Sequence, residues 1–393
     1  MKLLVVETSA HGGMLHYAVQ LGNALAARGH AVDLLTPRGN ELADREHGAR
    51  MRAVLTPPVS SWRSPPAGVR YLLRRAGVAF RLALAWGRVV WEARRRYDAV
   101  VLGDIELSLS AAAALVITAL PRRPRLIHIC HNVRGLSRQT GVGETRTVVG
   151  FLLQRLYGRF DLTFVHGERS RAEYEAIWPP TRLAIIPHGD ERVFADEPPP
   201  PATEERILFF GDWRAVKGLF VLMRAFDELV ARRSGVRLTI AGAPHPADGD
   251  PDAVRAWAAR HGDRVRVIDS YVPLEQVAGV FAEARAVVTP YLAGYQSGVI
   301  HVAMTMARAV VTTDVGDLGT VVVDGETGRI VPPRDHHALA AALEQVVIDA
   351  SLAQRMGAAG RRRMLESASW ELVAERFEAE AVKLFEAESP APR

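Results

Sequence analysis

A single cysteine, Cys130, in 393 residues leaves no partner for a disulfide within the chain and excludes a cysteine-ligated zinc cluster. Lysine is almost as scarce: Lys2, Lys217 and Lys383 are the whole set, and the remaining basic residues are arginine. No apolar run approaches the ~18 residues of a bilayer-spanning helix. The longest attempt, residues 107–120, is short and rich in alanine. The apolar run at residues 3–6 is too short for a secretory signal core and meets Glu7 at once. A reduced, cytoplasmic protein is the expectation. Acidic residues are also short in one half. Up to residue 190 there are 26 basic and 15 acidic residues, and beyond it 23 and 29. A basic half implies an anionic partner, either nucleic acid or an acidic membrane surface. Zinc-finger, RNP-type and helix-turn-helix signatures are missing, which argues against nucleic acid.

What is present is an ordinary globular balance, 48% hydrophobic and 24% charged residues. At roughly 150 residues per domain the length suggests two domains. The densest basic segment lies between Arg63 and Arg96, with nine arginines against one acid, Glu92. Arg74, Arg81, Arg88 and Arg95 recur every seven residues, with Arg70 on the same side of a helix. Leu73, Phe80, Leu84 and Trp91 take a different side. Two readings stay open: an amphipathic helix packed on its own domain, or one resting peripherally on anionic lipid.

Short apolar runs alternate with helical periodicity along the whole chain. Residues 2–8 read as a buried parallel strand, 14–28 as a helix capped by Gly29, and 31–36 as the next strand. Further strands are expected at 97–102, 124–130, 161–165 and 183–186. Three of them end in histidine: His131, His166 and His188. The proline run 196–206 reads as a linker. Strands then resume at 207–210, 237–241, 265–268, 286–289 and 309–312. The expected architecture is α/β: two doubly wound, Rossmann-like domains at 1–195 and 207–368, plus a C-terminal helical segment, 369–393, packing back towards the first domain. Ligands of such sheets bind beyond the carboxyl ends of the strands, so the two sets of strand ends are expected to face a central cleft.

Three strand-to-helix junctions carry candidate chemistry. Gly12 and Gly13 open a helix whose N–H groups suit an anion, without the GxGxxG spacing of a dinucleotide site. Arg214 and Lys217 lie three residues apart before Gly218, an arrangement suited to a diphosphate. Gln296, Ser297, Gly298 and Val299 open a third helix, where backbone amides and the two polar side chains can meet phosphate oxygens. Asp248-Gly249-Asp250 imitates a metal-binding DxD motif but lies in a polar turn, and no metal is expected.

These segments resemble a known family. HGGMLHYAVQLGNALAARGHAV, GDWRAVKGLFVLMRAF and PYLAGYQSGVIHVAMTMARAVVTTDVGDLGTVVVDGETGRIVPP look like the corresponding elements of family 4 (GT4-like) glycosyltransferases of the GT-B fold. The likeness covers most of the chain. It implies a retaining, metal-independent, hexosyltransferase-type enzyme, with a nucleotide-sugar as substrate and no cofactor. The implied acceptor is a lipid-linked or cell-surface glycan of polysaccharide biosynthesis, met at the cytosolic face of the membrane. It assigns Arg214 and Lys217 to neutralising the departing diphosphate, Gly12, Gly13 and Gln296 to Val299 to donor binding, and His131 to the donor sugar. His128, counted two residues earlier on the same strand, is expected on the same face. The chain departs from the family where Val302 or Ala303 replaces a ribose-binding glutamate, and where Ala307 and Ala309 replace Gly and Pro. A non-catalytic, glycosyltransferase-like binding subunit is the alternative those departures motivate.

Overall fold

The computed structural model describes residues 1–55, 69–103, 105, 108–134, 148–245 and 250–386. The expected basic residue Arg63 and residues 135–147 lie outside them, as do Asp248 and Gly249. The chain divides into two compact units, Met1–Pro187 with Trp370–Arg393, and His188–Ser369.

The first unit runs β1 (Lys2–Val6), α1 (Gly13–Ala27), β2 (Ala31–Pro37), β3 (Arg50–Leu55), α2 (Val69–Arg96), β4 (Ala99–Leu102), α3 (Ser108–Thr118), β5 (Arg125–Ile129), α4 (Val148–Tyr157), β6 (Leu162–Val165), α5 (Glu168–Ile177) and β7 (Leu183–Ile185). Its seven strands are parallel, in the order β3-β2-β1-β4-β5-β6-β7. Central strands buried on both sides explain the unbroken apolar runs LLVV and AVVL. Strand β3, with the sequence RMRAVL, is an edge strand whose side chains are mostly half-exposed. It carries no such run, which is why sequence alone misses it.

The second unit runs β8 (Arg206–Phe210), α6 (Leu219–Arg232), β9 (Arg237–Ala241), α7 (Pro251–His261), β10 (Val265–Ile268), α8 (Leu274–Ala282), β11 (Ala286–Thr289), α9 (Gly298–Thr305), β12 (Ala309–Thr313), α10 (Leu318–Val321), β13 (Gly328–Val331), α11 (His336–Ile348) and α12 (Ala350–Ser367). Its sheet order is β10-β9-β8-β11-β12-β13, again parallel. In both sheets the strand order reverses beside the first strand of the unit, between β1 and β4 and between β8 and β11. Such a reversal splays the connecting loops apart and leaves a crevice at the strand ends.

The proline-rich residues 196–206 belong to the second unit. The buried Arg308 guanidinium donates to the carbonyls of Pro199 and Pro200 at 3.2 and 2.6 Å. The last helix, α13 (Trp370–Glu386), returns to the first unit. There Phe377 stacks on Phe164 at 5.1 Å, Trp370 meets Tyr17 edge-on at 5.1 Å, and Arg28 donates to Glu378 at 2.6 Å.

Ala307 closes the α9–β12 turn at φ 54°, the left-handed region that costs a Cβ-bearing residue about 1–2 kcal/mol. Ala307→Gly is therefore expected to stabilise the protein by about 1 kcal/mol, read as a higher urea midpoint at unchanged m. An unchanged or lower midpoint would remove strain from the account of this turn.

Candidate active site

In the second unit, β8 leads through Gly211 into a single 3₁₀ turn, Ala215–Lys217. Gly218 then adopts a left-handed conformation, φ 69° and ψ 23°, and α6 begins. The neighbouring loop after β11 is tied to this turn, because the Leu292 amide donates to the Val216 carbonyl at 2.7 Å. The tie places the Lys217 Nζ 3.9 Å from the centroid of the Tyr291 ring. Among the described residues no carboxylate pairs with Lys217. Its charge is held by the face of an aromatic ring, which attracts a cation without neutralising it.

Tyr291 continues the chain of contacts. Its hydroxyl lies 3.1 Å from the Ser297 Oγ. Ser297 is the N-cap residue of α9, yet its side chain makes no capping hydrogen bond. The amides of Gly298 and Val299 open the helix, where no intrahelical acceptor exists for them. The Gln296 Oε1 is buried with no partner. A Cβ built on Gly211 would lie 3.8 Å from the Val299 side chain, so the β8 loop also borders α9. Lys217, Tyr291, Ser297 and the start of α9 thus form one cluster at the strand reversal. An ammonium group and a helix N-terminus on one side of a crevice suit a phosphate dianion. Arg214 stands at the same turn, where its Nε donates to Asp212 Oδ2 at 2.5 Å.

In the first unit, Gly12 takes φ 81° at the start of α1. Its amide donates to the Glu41 Oε1 at 2.6 Å, and the same oxygen lies 2.7 Å from the His16 Nε2. A carboxylate of the chain itself therefore occupies the Gly12 amide. No atom within 4 Å would meet a Cβ at Gly12 or Gly13, so the loop opens on free space.

Residues 12–189 match the family model of the glycosyl transferase 4-like domain, and residues 204–349 that of the glycosyl transferases group 1. The chain belongs to the GT4-like glycosyltransferases. It is 26% identical over 398 residues to the D-inositol 3-phosphate glycosyltransferase of Corynebacterium diphtheriae, covering 93% of this chain and 88% of the relative. It is 34% identical over 173 residues to the phosphatidyl-myo-inositol mannosyltransferase of Mycolicibacterium smegmatis, covering 42% and 43%. The solved structure of Anabaena HepE in complex with UDP-glucose superposes with a TM-score of 0.70 at 15% identity, covering 98% and 99%. The two parallel-sheet units are those of the GT-B fold.

In this glycosyltransferase, His131 follows β5 and is buried. Its Nδ1 lies 2.9 Å from the Nε2 of His166, which follows β6. Burial, with the neighbouring His166 and His128, holds the His131 pKa well below the usual imidazole range. His128 does not share its face. Three positions separate the two rings, and the strand period of two sends them to opposite sides. His131 packs against Tyr17 of α1, whereas His128 stacks on Phe160 at 4.5 Å and meets Tyr157 of α4. His128 is a core residue with neither ring nitrogen partnered.

Burial lowers the pKa of His128 to about 3 and that of His301 to about 4. Below pH 6.5 the unfolded chain gains protons that the folded chain refuses, so stability falls with pH until those lower values are passed. The slope is roughly 1.4 kcal/mol per pH unit per histidine. The urea midpoint is therefore expected to drop between pH 6.5 and 4.5, and His128→Leu is expected to flatten that drop. An unaltered slope in the variant would mean that His128 titrates freely in the native state.

Sequence reasoning did not single out Tyr291, Glu41 or His166. His166 had a signal, in that three strands of the first half end in histidine. Tyr291 and Glu41 had none, since each acquires its role from a partner 29 to 74 residues away in sequence. The Asp250 of the apparent metal motif instead caps α7, accepting from the Ala253 amide at 2.9 Å. Glu228, His336 and His337 gather ligand atoms within 4.8 Å of one another. That carboxylate already pairs with His337 and Arg232.

Helix α2 carries both buried and exposed apolar side chains. Ala85, Trp86, Val89 and Ala93 are buried against the domain. Phe80, Leu84 and Trp91 are 65%, 60% and 54% exposed. At about 100° per residue these three fall within about 40° of one another. Arg81 and Arg88 lie beside that strip and are exposed. The lone acid, Glu92, is taken by Arg52 and Arg88.

Proposed function

We propose that this glycosyltransferase moves a hexosyl group, with retention, from a nucleotide-sugar to a lipid-linked or cell-surface glycan acceptor at the cytosolic membrane face. The observation that carries the donor half is the Lys217 ammonium, which pairs with no carboxylate among the described residues, in one cluster with the open N-terminus of α9. As the bond from the anomeric carbon to the diphosphate breaks, its electron pair passes to the leaving oxygen. The acceptor hydroxyl oxygen forms the new bond to the anomeric carbon, and its proton passes to an oxygen of the departing diphosphate. Fixed positive charge at the leaving oxygen lowers that barrier, because it is worth most where charge develops. Lys217 supplies it, with Arg214 and the amides of Gly298 and Val299, and with Gln296 and Ser297 orienting the donor. His131 and the Gly12-Gly13 loop serve the sugar side. The chain thereby provides the charge that a metal ion provides elsewhere, and turnover is expected to withstand chelation by EDTA. The UDP-glucose bound by HepE supports a nucleotide-sugar donor.

The outward strip of α2 supports a membrane acceptor. Among the described residues no helix is long and apolar enough to cross a membrane, so contact would be peripheral. Aromatic and aliphatic side chains flanked by arginine insert at the headgroup boundary of anionic lipid. The mannosyltransferase of M. smegmatis, named for phosphatidyl-myo-inositol, agrees with a lipid acceptor. Sedimentation with vesicles of phosphatidylglycerol and phosphatidylcholine tests it. The protein is expected to prefer the anionic vesicles, and Phe80→Ala/Leu84→Ala/Trp91→Ala to weaken binding more than about tenfold, since each side chain is worth about 1.5–3 kcal/mol when buried. Equal partition into neutral vesicles would discard the membrane assignment. The donor is found by thermal shift over UDP-, GDP-, ADP- and TDP-sugars, because a specific ligand raises the melting point by mass action.

A further inference from the structure

The sequence contains one pair of adjacent histidines, His336-His337, and the fold of the second unit sets it against a carboxylate. His336 is the first residue of α11, and Glu228 lies in α6. Consecutive side chains on a helix point about 100° apart and do not normally face each other. Here the two imidazoles lie 4.0 Å apart, centroid to centroid, with their planes tilted by 34°. The His337 Nδ1 is 2.8 Å from the Glu228 Oε2. Among the described residues, His336 has the His337 ring beside it and makes no hydrogen bond or ion pair. One ligand atom from each of the three residues lies within 4.8 Å of the other two.

The charges around the cluster leave room for a cation. Arg232 engages the other oxygen of Glu228, Oε1, and shares its charge with Glu344 at 3.1 Å. Glu344 also accepts from Arg233 at 3.1 Å, so these two arginines and two glutamates balance. Asp335 adds a negative charge just before His336. Its carboxylate answers the positive end of α11 by accepting from the Ala338 amide at 2.9 Å. Two imidazoles and one carboxylate are the donor set of borderline first-row divalent ions, whereas Mg²⁺ and Ca²⁺ prefer oxygen alone. Tetrahedral zinc with bonds of about 2.1 Å places its ligand atoms about 3.4 Å apart. Glu228 and His336 are half-buried and His337 is exposed, so side-chain rotation can close the remaining gap.

We propose that Glu228, His336 and His337 bind a divalent ion of the zinc class, which fastens α6 to the start of α11. The ion replaces the proton between His337 and Glu228 and supplies the partner that His336 lacks, with water completing the shell. Glu228 lies ten residues beyond Gly218, about 15 Å along α6 from the Lys217 turn. The ion is therefore structural. Turnover below the melting range is expected to be the same with it and without it.

The test uses the untagged full chain, stripped with EDTA and desalted. Calorimetry with ZnCl₂ is expected to show saturable binding of one ion per chain. At about a hundredfold excess over Kd, the melting point is expected to rise by about 5 °C. MgCl₂ at the same concentration is expected to do neither. His336→Ala is the deciding variant. Because His336 holds no hydrogen bond, the metal-free variant is expected to melt within about 2 °C of wild type. Its zinc affinity is expected to fall more than about tenfold, since even an outer-shell partner is worth about 10–100-fold. If Glu228 and His337 were an ion pair and nothing more, His336→Ala would alter nothing. Glu228→Gln is expected to weaken zinc binding as well. A missing zinc heat, an equal response to Mg²⁺, or unchanged zinc affinity in His336→Ala overturns the proposal.

Discussion

Lys217→Ala is expected to lower turnover by about 10²–10³, the size of effect seen when one fixed group is removed from the site of developing charge. Lysine occurs three times in the chain, and one of the three stands at the strand reversal of the second sheet. No carboxylate among the described residues pairs with it, and the Tyr291 ring at 3.9 Å orients it without cancelling its charge. Removing it therefore leaves no acid unpaired, and the fold should survive: a melting point within about 2 °C of wild type is expected. Calorimetry with the screened donor should show weakened binding of both nucleotide-sugar and free nucleoside diphosphate. Full donor affinity in the variant would end the assignment of the diphosphate site. Arg214→Ala is expected to have the smaller effect, because Arg214 already spends one donor on Asp212.

Gly218→Ala is expected to be worse for the fold than any change at Lys217. A Cβ at this position would lie 1.8 Å from the Pro290 carbonyl oxygen, and the φ of 69° adds left-handed strain. The contact is with backbone, so no side chain can swing away. The 3₁₀ turn and the β11 loop would have to separate, breaking the Leu292–Val216 hydrogen bond that sets Lys217 over Tyr291. A loss of more than about 3 kcal/mol is expected, with donor binding abolished in whatever protein remains folded. Urea denaturation measures the first and calorimetry the second. A variant with wild-type stability would show that this loop is far more pliant than the packing indicates.

Much of the molecule was legible before folding was considered. Parallel strands buried on both sides must be apolar along their whole length, so runs such as LLVV and AVVL announce themselves. Edge strands β3 and β13 need no such run: RMRAVL alternates charge with aliphatic residues, and GRIV begins on a glycine. The strand ends are where chemistry is expected, because a parallel α/β sheet leaves its loops and helix N-termini at one edge. Lys217, Arg214 and Gln296 to Val299 were singled out as candidates by that rule. His128 was misplaced because it was counted two positions before His131; the separation is three, which puts it on the other side of the sheet. For α2 the sequence showed two kinds of side chain at helical spacing and could not say which face turned inward. Trp86 and Val89 proved to be the packed ones, and Phe80, Leu84 and Trp91 the exposed ones.

By itself, then, the order of residues determined the alternation of strand and helix, the two-unit architecture and the junctions where a phosphate could sit. These depend on local periodicity and on backbone groups that every helix start exposes. Only the tertiary structure decided which charges are free. Glu41 occupies the Gly12 amide, Tyr291 cradles Lys217, and the His166 ring meets that of His131. Each of those pairings joins residues that are distant in the chain, and electrostatic roles follow distances in space, which no spacing in sequence records.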